Sequence, residues 1–517
     1  MRKSLKHNRL LTAAVMAALL SMSAHGYAMN TEYVDFNGRR IAEVNFLSEG
    51  EDLGDVDDAR AGYNLHSTLK EAVKTGTEYW TDMIGTKAKN GQPWQIYVSG
   101  QRNVQNANAV TRSLIVEKGK TTLAPDNFVA KQLQDGKQLP RITQEIIRTE
   151  RIPIGDYGVS VVEIGQYLGG NREGATDGWW VDPDTVLPSN EQAADFVATI
   201  RHELGHALGI SVANDYLDVD GNVVPFFDRD YYPETVEPMI RFHGDLSDAK
   251  SWNLHLADQN LNPAKPGMEI VSGTVFEEKK KKNPGLKESD FFIVNNKANG
   301  ENIGGKNGKA FFVGKNVTET LAGATFFGVS GIPVNTWERK NFEGSHLQTA
   351  GMMSHRPYSN YTSFMEVELA VMQDLGYDID REAYFGHSVY GDGGTITNTQ
   401  GYFARNAAGT AYVNGKPSEV PIGIGLHIYG SGNTVTQAAD ILTVGKGAAG
   451  VRVDGMQNTV TVPASTNIHA DGLRGNGILI AYGRDQVVNQ AGKVTADGEN
   501  GTGIRFDFGS SSNGATD

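Results

Sequence analysis

The sequence predicts an α+β domain followed by an all-β domain that is a parallel β-helix. Two observations lead to this prediction. Up to about residue 390, segments with helical spacing of apolar residues alternate with short runs rich in β-branched and aromatic residues. After residue 391 glycine is abundant, and one short pattern returns at nearly constant spacing. A chain of 517 residues is also too long for one ordinary core, so more than one domain is expected.

The first 28 residues have the pattern of a secretory signal. Four basic residues begin it, a mostly apolar run covers residues 10–22, and Gly26 and Ala28 offer small residues for cleavage. We therefore expect residues 1–28 to be removed and the mature protein to be exported, either secreted or placed at a bacterial cell surface. An uncleaved anchor helix is the alternative, although the apolar run is short for a bilayer. No later segment reaches about 18 continuous apolar residues, so no transmembrane segment is predicted in the mature chain.

Charge and cysteine content narrow the function classes. The formal net charge is −14, and loss of the four basic residues of the signal would bring it to −18 (−14 − 4). So acidic a chain is a poor partner for nucleic acid, and no nucleic-acid binding is expected. The chain has no cysteine, which excludes disulfide bonds, thiolate zinc sites and cysteine nucleophiles. Any metal ion must be held by His, Asp, Glu or Tyr.

The first domain is expected to cover residues 29–390. Its predicted elements, in chain order, are a helix over 63–84, strands over 94–98 and 159–164, a helix over about 191–208, a β-rich insertion over about 211–340 and a helix over about 364–375. Ser189 and Gln192 have capping-box spacing before the second helix, as Ser363 and Glu366 have before the third.

The second domain is expected to cover residues 391–517. Four segments share a glycine followed by alternating apolar residues, and their apolar residues Leu426, Val451, Ile478 and Ile504 are separated by 25, 27 and 26 positions. Short strands at this period, with glycine at the corners, favour a β-solenoid whose coils bury apolar residues against their neighbours. An irregular glycine-rich β-sandwich or a disordered tail is the alternative.

The second predicted helix carries the motif His202-Glu-Leu-Gly-His206. Residues four apart lie about 40° apart around a helix axis, so both histidines project from one face and can bind one Zn²⁺. Glu203 lies beside them and can act as general base toward a zinc-activated water that attacks a peptide carbonyl. The motif therefore predicts a zinc-dependent endopeptidase acting on a protein or peptide substrate. Two partly exposed histidines on an ordinary helix are the alternative.

Two histidines leave a catalytic zinc site incomplete, because such a site usually has three protein ligands and a water. The residues by themselves do not choose the third ligand. The candidates are Asp215, His243, His255, His346, His355 and Glu366.

The run from His202 to Gly209 resembles the active-site helix of the metzincin clan of zincin-like metallopeptidases. In the short form of that pattern a third histidine stands six residues after the second, and Val212 occupies this position here. Valine cannot bind zinc. Leishmanolysin-like peptidases place the third histidine far downstream, after a large insertion and shortly before a methionine turn. The segment around His346 and Met353 is similar to that part of those enzymes.

This resemblance implies a zincin-like α+β metallopeptidase domain with His346 as the third zinc ligand and Met353 as the turn methionine beneath the metal. Met352 is the alternative for the methionine, and His355 and Asp215 are the alternatives for the ligand. Some metzincins also place a tyrosine after the turn, near the oxyanion of the transition state. Tyr358 and Tyr361 stand in that region, where packing is the more ordinary role.

The repeats after residue 391 resemble the passenger domains of bacterial autotransporters, which are displayed at the cell surface. That resemblance implies an outer-membrane translocator barrel as a partner, and the sequence carries no pattern of one. Two other functions remain open. A non-enzymatic surface adhesin would use the repeats and keep only a degenerate metal domain. A polysaccharide-acting β-helix is the third reading, and no carboxylate cluster on the repeats supports it.

Overall fold

The computed structural model describes residues 30–36, 38–51, 61–84, 93–105, 110–117, 120–123, 159–166, 176–181, 195–212, 214–217, 223–224, 239–243, 252–297, 301–338, 341–349, 351–354 and 364–507. The predicted signal at 1–28 lies outside these residues. The same holds for Ser189, Gln192 and Ser363 of the predicted helix caps.

A six-stranded mixed sheet forms the first layer of the molecule. Its strands are β1 (Asn30–Phe36), β2 (Arg39–Phe46), β3 (Trp94–Gln105), β4 (Val110–Glu117), β5 (Lys120–Leu123) and β6 (Val159–Gln166), in the order β1-β2-β3-β6-β4-β5. Strands β2, β3 and β6 run parallel, while β1, β4 and β5 are antiparallel to their neighbours. The two predicted strands lie within β3 and β6, which bury Ile96, Val98 and Val162 in the core.

Two helices, α1 (Ser67–Ile84) and α2 (Phe196–Ala207), pack against this sheet and against each other. The apolar spacing that predicted α1 places Val73 and Trp80 on its buried face. The helices approach closely at Gly76, where an added Cβ would lie 2.6 Å from Ile200 Cγ2. The Trp80 indole N–H donates to the carbonyl of Arg201 at 2.8 Å, which fixes the two helices in register.

Helix α2 begins at Phe196 and not at the predicted residue 191. Asp195 has an extended backbone, and its carboxylate accepts a hydrogen bond from the Ala198 amide at 3.2 Å. It therefore caps the first turn, and the prediction of the helix start was wrong because this cap was not recognised. Gly209 has φ +114° just after the helix, as its predicted role at the C-terminal end requires.

The described residues of the insertion form three small sheets. They are β7 (Asn214–Leu217), β8 (Val223–Val224), β9 (Met239–Phe242), β11 (Glu269–Val271) and β12 (Phe291–Ile293) in one sheet, β10 (Leu256–Ala257), β13 (Ala310–Phe312) and β14 (Ile332–Val334) in a second, and β15 (Trp337–Glu338) with β16 (Asn341–Phe342) in a third. Two helices that the sequence did not predict lie between them, α3 (Gly273–Lys282) and α4 (Lys315–Leu321). Helix α3 starts where the Ser272 hydroxyl accepts from the Val275 amide at 3.2 Å.

Helix α5 (Glu366–Asp374) is followed by a short 3-10 helix at Arg381–Ala383, and every sheet after it in the described residues is parallel. The strands are β17 (Phe385–Val389), β18 (Thr395–Asn398), β19 (Ile424–Ile428), β20 (Thr434–Gln437), β21 (Ile441–Thr443), β22 (Ala449–Val453), β23 (Thr459–Val462), β24 (Asn467–Ala470), β25 (Asn476–Ile480), β26 (Val487–Gln490), β27 (Lys493–Thr495) and β28 (Thr502–Phe506). They form sheets of order β17-β19-β22-β25-β28, β18-β20-β23-β26 and β21-β24-β27. The four residues that marked the sequence repeat, Leu426, Val451, Ile478 and Ile504, are direct partners in the first of these sheets.

The large core of the first domain continues into the parallel sheets. Phe385, Tyr390 and Ile424 are buried in the same apolar cluster as the sheet and helices of the first domain. Strand β17 thus joins the C-terminal sheet before residue 391, where the sequence texture changes. In the parts of the chain that the structure describes, no helix has the length and apolarity needed to cross a membrane.

Candidate metal centre

Helix α2 presents the two motif histidines side by side. Their rings stand at 89° to each other with centroids 4.6 Å apart, and the two Nε2 atoms are 3.0 Å apart. Glu203 is buried on the same helix, with 7% of its surface exposed. The spacing of the motif and the regular helix from Phe196 produce this arrangement.

His346 joins them from far along the chain. Its Nε2 atom lies 3.1 Å from Nε2 of His206 and 3.1 Å from Nε2 of His202. Within the described residues, these three half-buried histidines form the one group of three or more His, Cys, Asp or Glu side chains whose ligand atoms are close enough to share a metal ion.

Hydrogen bonds from the first domain and its insertion fix the loop that carries His346. The Val212 amide donates to the Ser345 hydroxyl at 3.0 Å, and the Trp252 indole donates to the Gly344 carbonyl at 2.9 Å. The Asn335 amide donates to the carbonyl of His346 itself at 2.8 Å. Val212 stands where the short metzincin pattern has its third histidine, so this backbone position anchors the loop that supplies the distant one.

The Nδ1 partners of the three rings determine how the rings are protonated. His202 Nδ1 faces the Met352 carbonyl at 2.6 Å, and His206 Nδ1 faces the Ile210 carbonyl at 2.6 Å. His346 Nδ1 faces a carboxylate oxygen of Glu343. Carbonyl and carboxylate oxygens only accept, so each Nδ1 carries the hydrogen and donates it. A ring that is neutral in this form has its lone pair on Nε2, the atom that faces the other two rings.

Three nitrogen atoms so close together need a shared proton or a metal ion between them, because their lone pairs would otherwise repel one another. Zinc bound tetrahedrally at about 2.0–2.1 Å from each nitrogen would set the nitrogens ~3.3 Å apart, close to the 3.0–3.1 Å found here. The acceptors on Nδ1 are the outer partners that histidine ligands ordinarily have. The donor set therefore fits Zn²⁺, with room in the tetrahedron for one further ligand.

A methionine packs beneath the centre. Met353 is fully buried, and a Cβ added to Gly205 would lie 2.5 Å from its sulfur atom. A larger residue at position 205 would overlap the Met353 thioether, so this packing requires glycine. Met352, the alternative, contributes its backbone carbonyl to His202 instead.

Glu368 holds this turn, and the sequence did not reveal it. Its fully buried carboxylate accepts from the amides of Met352 at 3.1 Å, Met353 at 3.0 Å and Met365 at 2.9 Å, and from the Thr349 hydroxyl at 3.2 Å. Burial raises the pKa of Glu368 to about 7, although these hydrogen bonds oppose the rise. The available signal was its place three residues into α5, the capping position that the sequence had assigned to Glu366.

The other described candidate ligands lie in contacts of their own. Asp215 accepts from Arg241 at 3.3 Å and pairs with His243 at 2.9 Å; burial would raise its pKa, but these two partners hold it below the ordinary value. Glu366 pairs with Arg381 at 2.6 Å.

Of the remaining candidates, His255 stacks on Phe312, and its Nδ1 lies 3.1 Å from the Val313 carbonyl. His355, Tyr358 and Tyr361 lie outside the described residues, so their predicted roles stay predictions.

Comparison with models of protein families, with curated proteins and with solved structures gave no match for this chain. The chemistry open to the centre thus follows from its own side chains. Three imidazoles can hold a divalent metal, and a carboxylate next to the first of them can move a proton.

Proposed function

We propose that this protein is an exported zinc-dependent endopeptidase. His202, His206 and His346 hold the metal, and Glu203 is the general base. The observation that carries the proposal is the convergence of three Nε2 atoms on rings whose Nδ1 atoms all face oxygen acceptors.

The proposed reaction is hydrolysis of a peptide bond. A zinc ion bound at this site would acidify a water molecule and polarise the carbonyl of the scissile bond. Glu203 takes a proton from the attacking water as the water oxygen bonds to the carbonyl carbon. When the carbon–nitrogen bond breaks, Glu203 returns that proton to the nitrogen of the leaving amine.

We further propose that the first domain has a zincin-like fold and that the C-terminal part is a parallel β-helix. Three parallel sheets whose strands recur at the sequence period support the β-helix. A ladder of amides runs along one corner: the Asn433 backbone donates to the Asn458 side chain at 2.9 Å, and the Asn458 backbone donates to Gln486 at 3.0 Å. The likeness of the repeats to autotransporter passengers favours secretion or display at a bacterial cell surface.

Two substitutions test the proposed function. Glu203→Ala is expected to keep stoichiometric zinc and to lose peptidase activity by roughly 10²–10⁴-fold, because it removes only the base. His346→Ala is expected to weaken zinc binding by more than about 100-fold. This effect should exceed that of removing a residue that only hydrogen-bonds to a zinc ligand. Zinc content and hydrolysis of an unfolded protein substrate are the measurements.

His243→Ala is the matched control, since it removes a half-exposed histidine that lies with Asp215 and not with the three ligands. It should leave zinc binding and activity unchanged. Full zinc affinity in His346→Ala would point to another third ligand. A wild-type chain that binds no zinc and cleaves nothing would instead favour the surface adhesin.

A further inference from the structure

The carboxylate of Glu368 is buried completely, yet it does not lie among the three histidines. Its two oxygens receive four donors, three of them backbone amides. Two of these amides belong to consecutive residues, Met352 and Met353. A Cβ on Gly351 would lie 2.3 Å from both carboxylate oxygens, so this glycine allows the turn to close around the carboxylate.

The turn that Glu368 closes supports the ligands from below. The Met352 carbonyl accepts from His202 Nδ1 at 2.6 Å, and this bond selects the ring form whose Nε2 can bind a metal. The Met353 side chain packs on Gly205, between the two helical ligands. The Met353 carbonyl accepts from the Leu347 amide at 2.8 Å, next to His346.

We propose that Glu368 is a positioning residue of the metal centre: by holding the amides of Met352 and Met353 it fixes the carbonyl that orients His202 and the thioether beneath Gly205. This inference rests on the proposed function, since it gives Glu368 a task only if the histidines bind a metal. Glu368 touches neither metal nor substrate. Its effect reaches the centre through one turn of backbone.

Glu368→Gln tests the inference, because the amide keeps the shape of the side chain but turns an NH₂ group toward backbone donors. Asp258→Asn is the matched control. Asp258 is also fully buried and accepts from three amides, those of Asn260 at 2.9 Å, Asn262 at 2.8 Å and Ile293 at 3.0 Å, and from the Asn262 side chain at 3.2 Å. Both variants lose a comparable buried network, and only one of these networks adjoins the centre.

Three quantities are measured on the whole mature chain: urea unfolding, the zinc dissociation constant by competition with a chromophoric chelator, and the visible spectrum after replacement of zinc by Co²⁺. Both variants should lose similar stability. Only Glu368→Gln should weaken zinc binding, by about 10–100-fold, and change the cobalt spectrum. Equal zinc affinity and equal spectra in the two variants would overturn the positioning role.

If Glu368→Gln does not fold, Thr349→Val serves as the milder variant, since it removes one donor to the same carboxylate. It should weaken zinc binding several-fold, and unchanged binding would overturn the inference. The wild type separates the two proposals. If wild-type protein binds no Zn²⁺ or Co²⁺, the proposed function fails and the inference fails with it, whereas normal metal binding in both wild type and variants defeats the inference alone.

Discussion

Gly205 lies between the two helical histidines, and its lack of a side chain is a requirement of packing. The sulfur of Met353 occupies the place where a Cβ would be, at 2.5 Å, and the Trp80 ring is 3.3 Å from the same point. A glycine inside a helix costs about 0.5–1 kcal/mol relative to alanine. The helix tolerates this cost because the close approach lets Met353 pack against the helix face that carries His202 and His206.

Gly205→Ala is expected to destabilise the protein and to weaken zinc binding. Overpacking costs about 1–3 kcal/mol, which outweighs the gain in helix propensity, and the displaced Met353 moves the turn that supports His202. Urea unfolding and zinc titration are the measurements. Gly76→Ala is the control, because its Cβ would meet Ile200 at 2.6 Å in the same helix pair but away from the turn. An equal loss of zinc affinity in both variants would contradict the argument.

For individual residues, the sequence predicted those positions that depend only on spacing along one helix. His202, Glu203 and His206 follow from the geometry of one helix, and the structure brings His346 to them. The sequence did not indicate the acceptors that set the ring forms of His202 and His206, because these are backbone carbonyls and any residue type supplies one. Glu368 was missed for a related reason: its partners are amides of residues that come together only in the folded chain.

At the scale of elements, the parallel strands repeat one pair of residues in two environments. Arg452 on β22 and Asp454 just after it are buried, with 6% of each side chain exposed, and the Arg452 Nε lies 2.9 Å from the Asp454 carboxylate. His427 also contacts Asp454, at 2.5 Å. Arg505 on β28 and Asp507 just after it have the same spacing and a 2.8 Å contact, but the Arg505 side chain is 46% exposed. The two pairs differ in burial and in the additional contact of His427 with Asp454.

Asp454→Asn is expected to cost about 3–5 kcal/mol, because it removes the buried carboxylate that both Arg452 and His427 contact. Asp507→Asn should cost less than about 1 kcal/mol, as exposed pairs do. Chemical denaturation at neutral pH measures both. Similar costs in the two variants would show that burial does not set the strength of the pair.

The pH dependence of this pair has a definite sign. Burial would raise the pKa of Asp454, but Arg452 and His427 hold it below the ordinary value. A carboxyl with a lowered folded pKa stabilises the protein above its unfolded pKa of about 3.9, and the contribution is lost as the pH falls through the folded pKa. The stability difference between wild type and Asp454→Asn should therefore shrink in acid. A difference that stays constant down to the folded pKa would contradict this linkage.

Elements were predicted with uneven success, for physical reasons. The repeat predicted the partners in the parallel sheets because each strand pairs with the equivalent residues one period away. For the insertion, the sequence predicted strands but not their positions. The described strands there are two to four residues long, which is too short for an alternating pattern to be recognised. Helices α3 and α4 were missed there.

At the scale of the whole molecule, the change in sequence texture at residue 391 does not coincide with a gap in the core. Phe385, Tyr390 and Ile424 belong to the apolar cluster of the first domain. The Tyr390 hydroxyl accepts from the Val367 amide at 3.0 Å, at the start of the helix that carries Glu368. The change in composition indicates where the repeats begin, but it does not indicate which side chains complete the core. The boundary predicted at residue 391 therefore did not include the packing of the repeats against the first domain.

This shared core predicts how the protein responds to truncation. A chain of residues 29–390 loses Ile424 and strand β19, the partner of β17, so Phe385 and Tyr390 become exposed. Loss of buried side chains of this size costs about 2–5 kcal/mol each, against a total stability of about 5–15 kcal/mol. We expect this chain to aggregate or to unfold without cooperativity, and to bind less than stoichiometric zinc. A chain of residues 29–482 keeps β19, β22 and β25 over the junction, so it should bind one zinc and unfold cooperatively. Calorimetry and zinc content compare the two. If residues 29–390 alone unfold cooperatively and bind zinc as tightly as the longer chain, the C-terminal sheets are a separable appendage and the core of the first domain closes without them.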